Sequence, residues 1–104
     1  MQKTQFIGEV AARAGVSKKQ AKHVLDTALQ IIAEQLQQGE RVVLTGFGTF
    51  EVRSRRARRG VNPQTRQPMT INATRTPGFS ASNSLKAVVR GEKSTRDLQR
   101  EIEG

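Results

Sequence analysis

Apolar residues recur every three or four positions along the first part of this chain, and the period then changes. Phe6, Ile7, Val10, Ala11 and Ala14 line one side of a helix predicted over residues 3–14, with Lys3, Glu9 and Arg13 off that side. Gly15 supplies a C-cap. Ser17 and Gln20 match a capping box, so a second helix is expected from Lys18 to about Gln38, stopping at Gly39. Its apolar positions are Ala21, Val24, Leu25, Ala28, Leu29, Ile31, Ile32 and Leu36, a stripe wider than one short helix can cover. The excess implies burial against a second surface, such as another copy of the chain.

Beyond Gly39 the alternation is that of strands. Arg41 to Thr45 reads as one strand and Gly46-Phe47-Gly48 as a turn. From Thr49 onward Phe50 and Val52 take one face, Glu51 and Arg53 the other, which makes a hairpin. Between Arg53 and Met69 the apolar content falls to Ala57, Val61 and Met69, too little to bury the segment. Asn62-Pro63-Gln64-Thr65 has turn chemistry, with Pro63 where a type I turn favours it. A long two-stranded ribbon projecting from the body, with Pro63 near its tip, is the simplest structure. Such a ribbon is marginal in water and is expected to be mobile unless something holds it. Met69 to Thr76 returns through Ile71, Pro77-Gly78 is expected to break the strand, and Phe79 is available to the core. Ser80 or Ser82 can cap a short helix ending at Val89 and carrying Leu85, Val88 and Val89. Residues 91–104 are polar and mixed in charge, with Leu98 and Ile102 spaced for one more short helix. Phe6, Phe47, Phe50 and Phe79 sit at core-phased positions, which favours packing over stacking on bases.

Composition bounds the answer, and charge sharpens it. The length of 104 residues points to one domain with a modest core. There is no Cys, so disulfides and thiolate metal sites are excluded. No apolar run reaches membrane length, and MQKTQFIGEV lacks the apolar segment of a secretory signal, so neither export nor a membrane partner is expected. The net charge is +9, and it is unevenly placed. Residues 41–90 hold ten bases and one acid, nine of the ten being Arg, and no Asp or Glu occurs from Val52 to Gly91. A guanidinium is a planar fork suited to phosphate oxygens, so the expected partner is a polyanion. One His (His23) and no clustered acids in the basic half leave a catalytic constellation nothing to be built from. Gly46-Phe47-Gly48 has Glu51 where a nucleotide-binding loop needs its third Gly. The Asn72-Ala73-Thr74 sequon has no signal peptide to make it meaningful.

The order helix, helix, hairpin, basic ribbon, P-x-F and short helix resembles the bacterial HU/IHF family of histone-like DNA-bending proteins, most nearly its HU branch. The resemblance covers residues 1–90 and is carried chiefly by Gly46 to Arg53 (GFGTFEVR) and Asn62-Pro63-Gln64-Thr65. It implies an α+β fold, built as an intertwined dimer with a helical base, a small antiparallel sheet saddle and two protruding β-ribbon arms. The arm is about 53–75, and 91–104 is a polar C-terminal tail outside the family pattern. It implies duplex DNA as partner, with bent, nicked or gapped forms favoured and no cofactor. The arm-tip Pro63 would wedge between base pairs in the minor groove. Family phosphate contacts map onto Arg53, Arg55, Arg58, Arg75 and Lys86, and more loosely onto Lys3. Arg56, Arg59, Val61, Asn62, Gln64, Thr65 and Arg66 complete the expected interface. Three positions depart from the family: Val61 stands where many relatives have Arg, Arg66 where Gly is common, and Asn83 where many have Lys. The implied role is weakly selective bending and compaction of a bacterial nucleoid in the cytoplasm, by a homodimer or a close heterodimer.

Competing readings are a site-specific DNA bender, an RNA-binding module and a helix-turn-helix regulator. The last would use the Gly15 turn and the second helix, with Lys18 and Lys19 at its start. That helix is apolar over most of its length, and the positive charge lies elsewhere.

Overall fold

A computed structural model describes residues 1–55, 58–71 and 73–104. Helix α1 (Lys3–Ala14) starts where the Gln2 amide donates to the Gln5 side-chain oxygen at 2.9 Å, and it ends at Gly15 in the left-handed region. Helix α2 (Lys18–Gln37) begins on the expected capping box. The Gln20 amide donates to Ser17 Oγ at 3.1 Å, and the Ser17 amide donates to Gln20 Oε1 at 3.0 Å. The two helices pack through Ile7, Ala11 and Ala21, with Val10 and Leu25 beside them.

Strands β1 (Val42–Leu44), β2 (Gly48–Arg55) and β5 (Thr74–Ala81) form an antiparallel sheet in the order β1-β2-β5. Strands β3 (Arg58–Val61) and β4 (Pro68–Ile71) pair separately. The first ladder closes on Arg55↔Thr74 and the second opens on Arg58↔Ile71, so both share one register. The ribbon expected from the sequence is therefore present as a stem of β2 and β5 and an outer part of β3 and β4. Its reach shows in the dimensions. The radius of gyration is 19.1 Å and the longest extent 59 Å, where a compact chain of this length has a radius of about 13 Å.

Pro77 and Gly78 do not break the strand. They lie inside β5, opposite Val52 and Glu51. β5 pairs only with β2 and is an edge strand, where a residue without an N–H is tolerated. Ser82, not Ser80, caps α3 (Asn83–Val89): its Oγ accepts from the Leu85 amide at 3.0 Å and donates to the Gly46 carbonyl at 2.8 Å.

Residues 91–104 contain α4 (Thr95–Glu103), capped where the Asp97 amide donates to Ser94 Oγ at 3.1 Å. This helix lies against α3 and the β1–β2 turn. Leu98 is buried, and Lys93 Nζ donates to Glu101 at 2.6 Å and to Ser84 Oγ at 3.1 Å. Gly46 sits at φ 83°, and a Cβ there would stand 2.8 Å from the Glu101 carbonyl carbon. Only glycine meets both constraints.

The chain by itself buries little. Ile7, Ala11, Ala21 and Leu98 are the buried apolar side chains among the described residues, whereas Val24 remains 67% exposed and Ile31 50%. The phenylalanines expected in the core gather but do not close over. Phe79 has its ring centroid 4.9 Å from Phe50 and 5.7 Å from Phe47, yet Phe47 and Phe79 stay over a third exposed, and so does Phe6. The physical reason is that, among the described residues, α1 and the sheet cover only part of the wide α2 stripe and leave the aromatic face of the sheet open.

Leu98→Ala should lower the unfolding free energy by about 2 kcal/mol or more, as for other buried leucines. Denaturant titration of the variant against the wild-type chain checks this. A change below about 0.5 kcal/mol would mean that α4 is not held by its apolar contact.

Candidate nucleic-acid interface

The ribbon tip is defined by its hydrogen bonds. The Asn62 amide donates to the Gln67 carbonyl at 2.9 Å and the Arg66 amide to the Asn62 carbonyl at 2.7 Å. The Asn62 side-chain oxygen accepts from the amides of Gln64 at 2.9 Å and Thr65 at 3.4 Å. The Gln67 amide donates to Thr65 Oγ1 at 3.3 Å. Asn62 thus supplies the acceptor that organises the turn, and Pro63 fixes its own φ within it. Pro63, Gln64, Thr65 and Arg66 are all exposed, and Val61 beside them is 64% exposed.

The stem carries the cations. Arg53 lies across the strand pair over Gly78, where any Cβ would collide with its guanidinium. Its Nη2 sits 3.4 Å from Glu51 and 3.4 Å from the Phe79 carbonyl. Ser80 Oγ donates to Glu51 at 2.7 Å, and this bond, helped by Arg53, holds the Glu51 carboxyl below its ordinary pKa. Arg59, paired with Thr70, is exposed. The backbones of Arg55 and Arg58 sit at the facing ends of the two ladders. Arg56, expected in the interface, lies outside the described residues, as do Ala57 and Asn72. Arg75 is exposed but reaches back toward Gly39, 3.2 Å from where its Cβ would be. It brings a cation to the end of α2, whose last turn has none.

The body holds a second basic cluster. Lys3 lines one hollow with Lys18, Lys19 and Lys22 around Thr4 and Ile7. Asp26 is the carboxylate among them, 2.7 Å from Lys3 and 2.5 Å from Lys22. Hydrogen bonds from Lys22 and then Lys3 hold its pKa at about 2, below the ordinary aspartate value. Sequence reasoning placed only Lys3 here and gave Lys18 and Lys19 to a competing reading. The four-residue spacing of Lys18 and Lys22 was the available signal that they share a face. Lys86 is exposed in the last turn of α3. The structure therefore presents cations in two places: along the projecting ribbon, and on the body at the meeting of α1 and α2.

The family profile described as "Bacterial DNA-binding protein" matches residues 1–90. The chain is 51% identical over 90 residues to DNA-binding protein HU-1 of Halalkalibacterium halodurans, covering 86% of this chain and 100% of that one. It is 49% identical over 90 residues to DNA-binding protein HU of Thermotoga maritima, with the same coverage. Among solved structures it matches an Anabaena HU–DNA cocrystal structure with a TM-score of 0.77 at 47% identity, covering 86% of this chain and 97% of that one.

The Asp26 cluster has a pH signature. A carboxyl with its folded pKa depressed stabilises the fold above its ordinary value, and that contribution is lost as pH falls through the folded pKa. Between about pH 4 and pH 2, wild-type stability should fall more steeply than that of Asp26→Asn. Thermal melts across that window check this, and parallel curves would contradict it.

Proposed function

Because this chain belongs to the bacterial HU family of DNA-binding proteins, we propose that it bends duplex DNA with its projecting ribbon, using Pro63 as the wedge. It is a non-enzymatic architectural protein that binds DNA with low sequence specificity. The observation that carries the finer reading is the ribbon itself. It extends from the sheet in one register, lies in a stretch without a carboxylate from Val52 to Gly91, and ends on an exposed proline.

The chemistry follows from those residues. Arg53, Arg55, Arg56, Arg58, Arg59 and Arg75 on the arm, with Lys3 and Lys86 on the body, neutralise phosphates and release counterions. Such contacts position the protein without reading bases. Lys18, Lys19 and Lys22 join Lys3 in this role. At the tip, Asn62, Gln64 and Thr65 hold the turn, and Val61 and Pro63 present apolar surface to the groove. Proline suits a wedge because it is rigid, apolar and has no N–H to leave unpaired. Unstacking one step costs a few kcal/mol, offset by the surface a bent duplex wraps. DNA that is already bent, nicked or gapped reduces that cost and is the favoured substrate. Compaction of a bacterial nucleoid is the cellular consequence.

The working unit is a dimer, most simply of two identical chains. Support comes from apolar surface that the single chain leaves open: Val24, Ile31, Phe47 and Phe79. Burying these between two copies joins two arms to one body, so a duplex can be gripped from both sides.

Sedimentation equilibrium should return twice the 11.5 kDa chain mass. A single-chain mass at micromolar concentration would overturn the dimer. Pro63→Ala should bind an intact duplex more weakly and bend it less by end-to-end energy transfer, while keeping its grip on a nicked duplex. Equal bending by the two proteins, or equal wild-type affinity for nicked and intact duplexes, would remove the wedge from the account.

A further inference from the structure

We propose that Arg66 is the groove-reading cation of the arm tip and gives the protein a preference for narrow, A·T-rich minor grooves. The inference rests on the arm-tip reading above and adds a residue-specific selectivity to it. Arg66 is the one non-glycine residue at positive φ (57°) among the described residues. The turn imposes this conformation, because the Arg66 amide must reach the Asn62 carbonyl while the Asn62 amide reaches the Gln67 carbonyl. Left-handed backbone is costly for a residue with a long side chain, and glycine takes it freely. A backbone outlier of this kind is a reason to look for function in the side chain it carries.

Charge gives that function its form. Between Gly60 and Thr74 the sequence is neutral except for Arg66. The other exposed tip residues, Val61, Pro63, Gln64 and Thr65, bring only apolar surface and neutral donors or acceptors. A tip that enters the minor groove therefore brings one cation per arm, three residues from its wedge. A·T-rich DNA narrows the minor groove and deepens its negative potential, which attracts an inserted guanidinium. Arg66 is accordingly worth more on an A·T-rich site than on a G·C-rich one, where the groove is wider and carries the guanine amino group.

The test is a competition between A·T-rich and G·C-rich duplexes of equal length, with wild type, Arg66→Gly and Pro63→Ala. Wild type should favour the A·T-rich duplex by about fivefold, the low end for one polar base-edge contact. R66G should bring the ratio close to one, with the amide resonances of Asn62 and residue 66 still reporting a formed turn. P63A should keep the A·T preference while losing bend. A wild-type ratio near one, or an unchanged ratio in R66G, overturns the role of Arg66. If P63A bends DNA like wild type, the wedge reading fails instead, and the two failures are separate.

Discussion

Positive charge with no carboxylate to answer it is the constraint on which this structure depends. From Val52 to Gly91 no acid occurs, and the ribbon lies inside that span. A segment so charged and so poor in apolar residues gains nothing by folding onto the body, and its cations repel one another until an anion arrives. What the segment can do is extend. The β2–β5 ladder carries it outward from Gly48↔Ala81 to Arg55↔Thr74, and β3 and β4 continue in the same register. Glu51 marks the boundary: at the root of the arm it takes up Ser80 and Arg53, and farther out Arg59 and Arg66 are exposed. The same arrangement that makes the ribbon a poor folding element makes it a surface for phosphate.

The body meets the complementary problem. Its apolar residues are sufficient for a core but are spread along a surface that one chain cannot cover. Ile7, Ala11 and Ala21 close one small cluster, and Leu98 is buried on α4, whose Glu101 and Ile102 meet the β1–β2 turn. Between them Val24, Leu29, Ile31 and the Phe47–Phe79 pair stay open. A partner copy answers this, and the geometry of gripping a duplex follows from joining two such bodies. Helix α4 lies beyond residues 1–90, the span that the family profile matches, and it packs close against Gly46.

Local signals in the sequence were the legible ones. The Ser17–Gln20 box, the Gly15 cap, the tight turn at Gly46 and the Asn62-Pro63 tip each act within a few residues, and each appears where the pattern put it. Signals that depend on a neighbour far along the chain were lost. Pro77-Gly78 reads as a breaker unless it is known that β5 is an edge strand. Ser80 and Ser82 are equivalent in sequence, and only the position of Glu51 and Gly46 assigns one to the sheet and the other to the α3 cap. The lysines of α1 and α2 were visible one by one, but their meeting around Thr4 and Ile7 is a product of helix packing. The approach of the Arg75 guanidinium to Gly39, at the end of α2, likewise joins residues far apart in the chain.

Salt dependence of duplex affinity measures the central claim most directly. Each phosphate contact made by a cation contributes about −0.9 to the log–log slope. Replacing residues 56–72 by a tight turn removes Arg56, Arg58, Arg59 and Arg66 while leaving β2, β5 and the helices in place. The account predicts a steep slope for the whole chain, flattened by at least about 2 in the shortened one. Equal slopes would mean that DNA is held elsewhere and that the ribbon's charge is not what binds it.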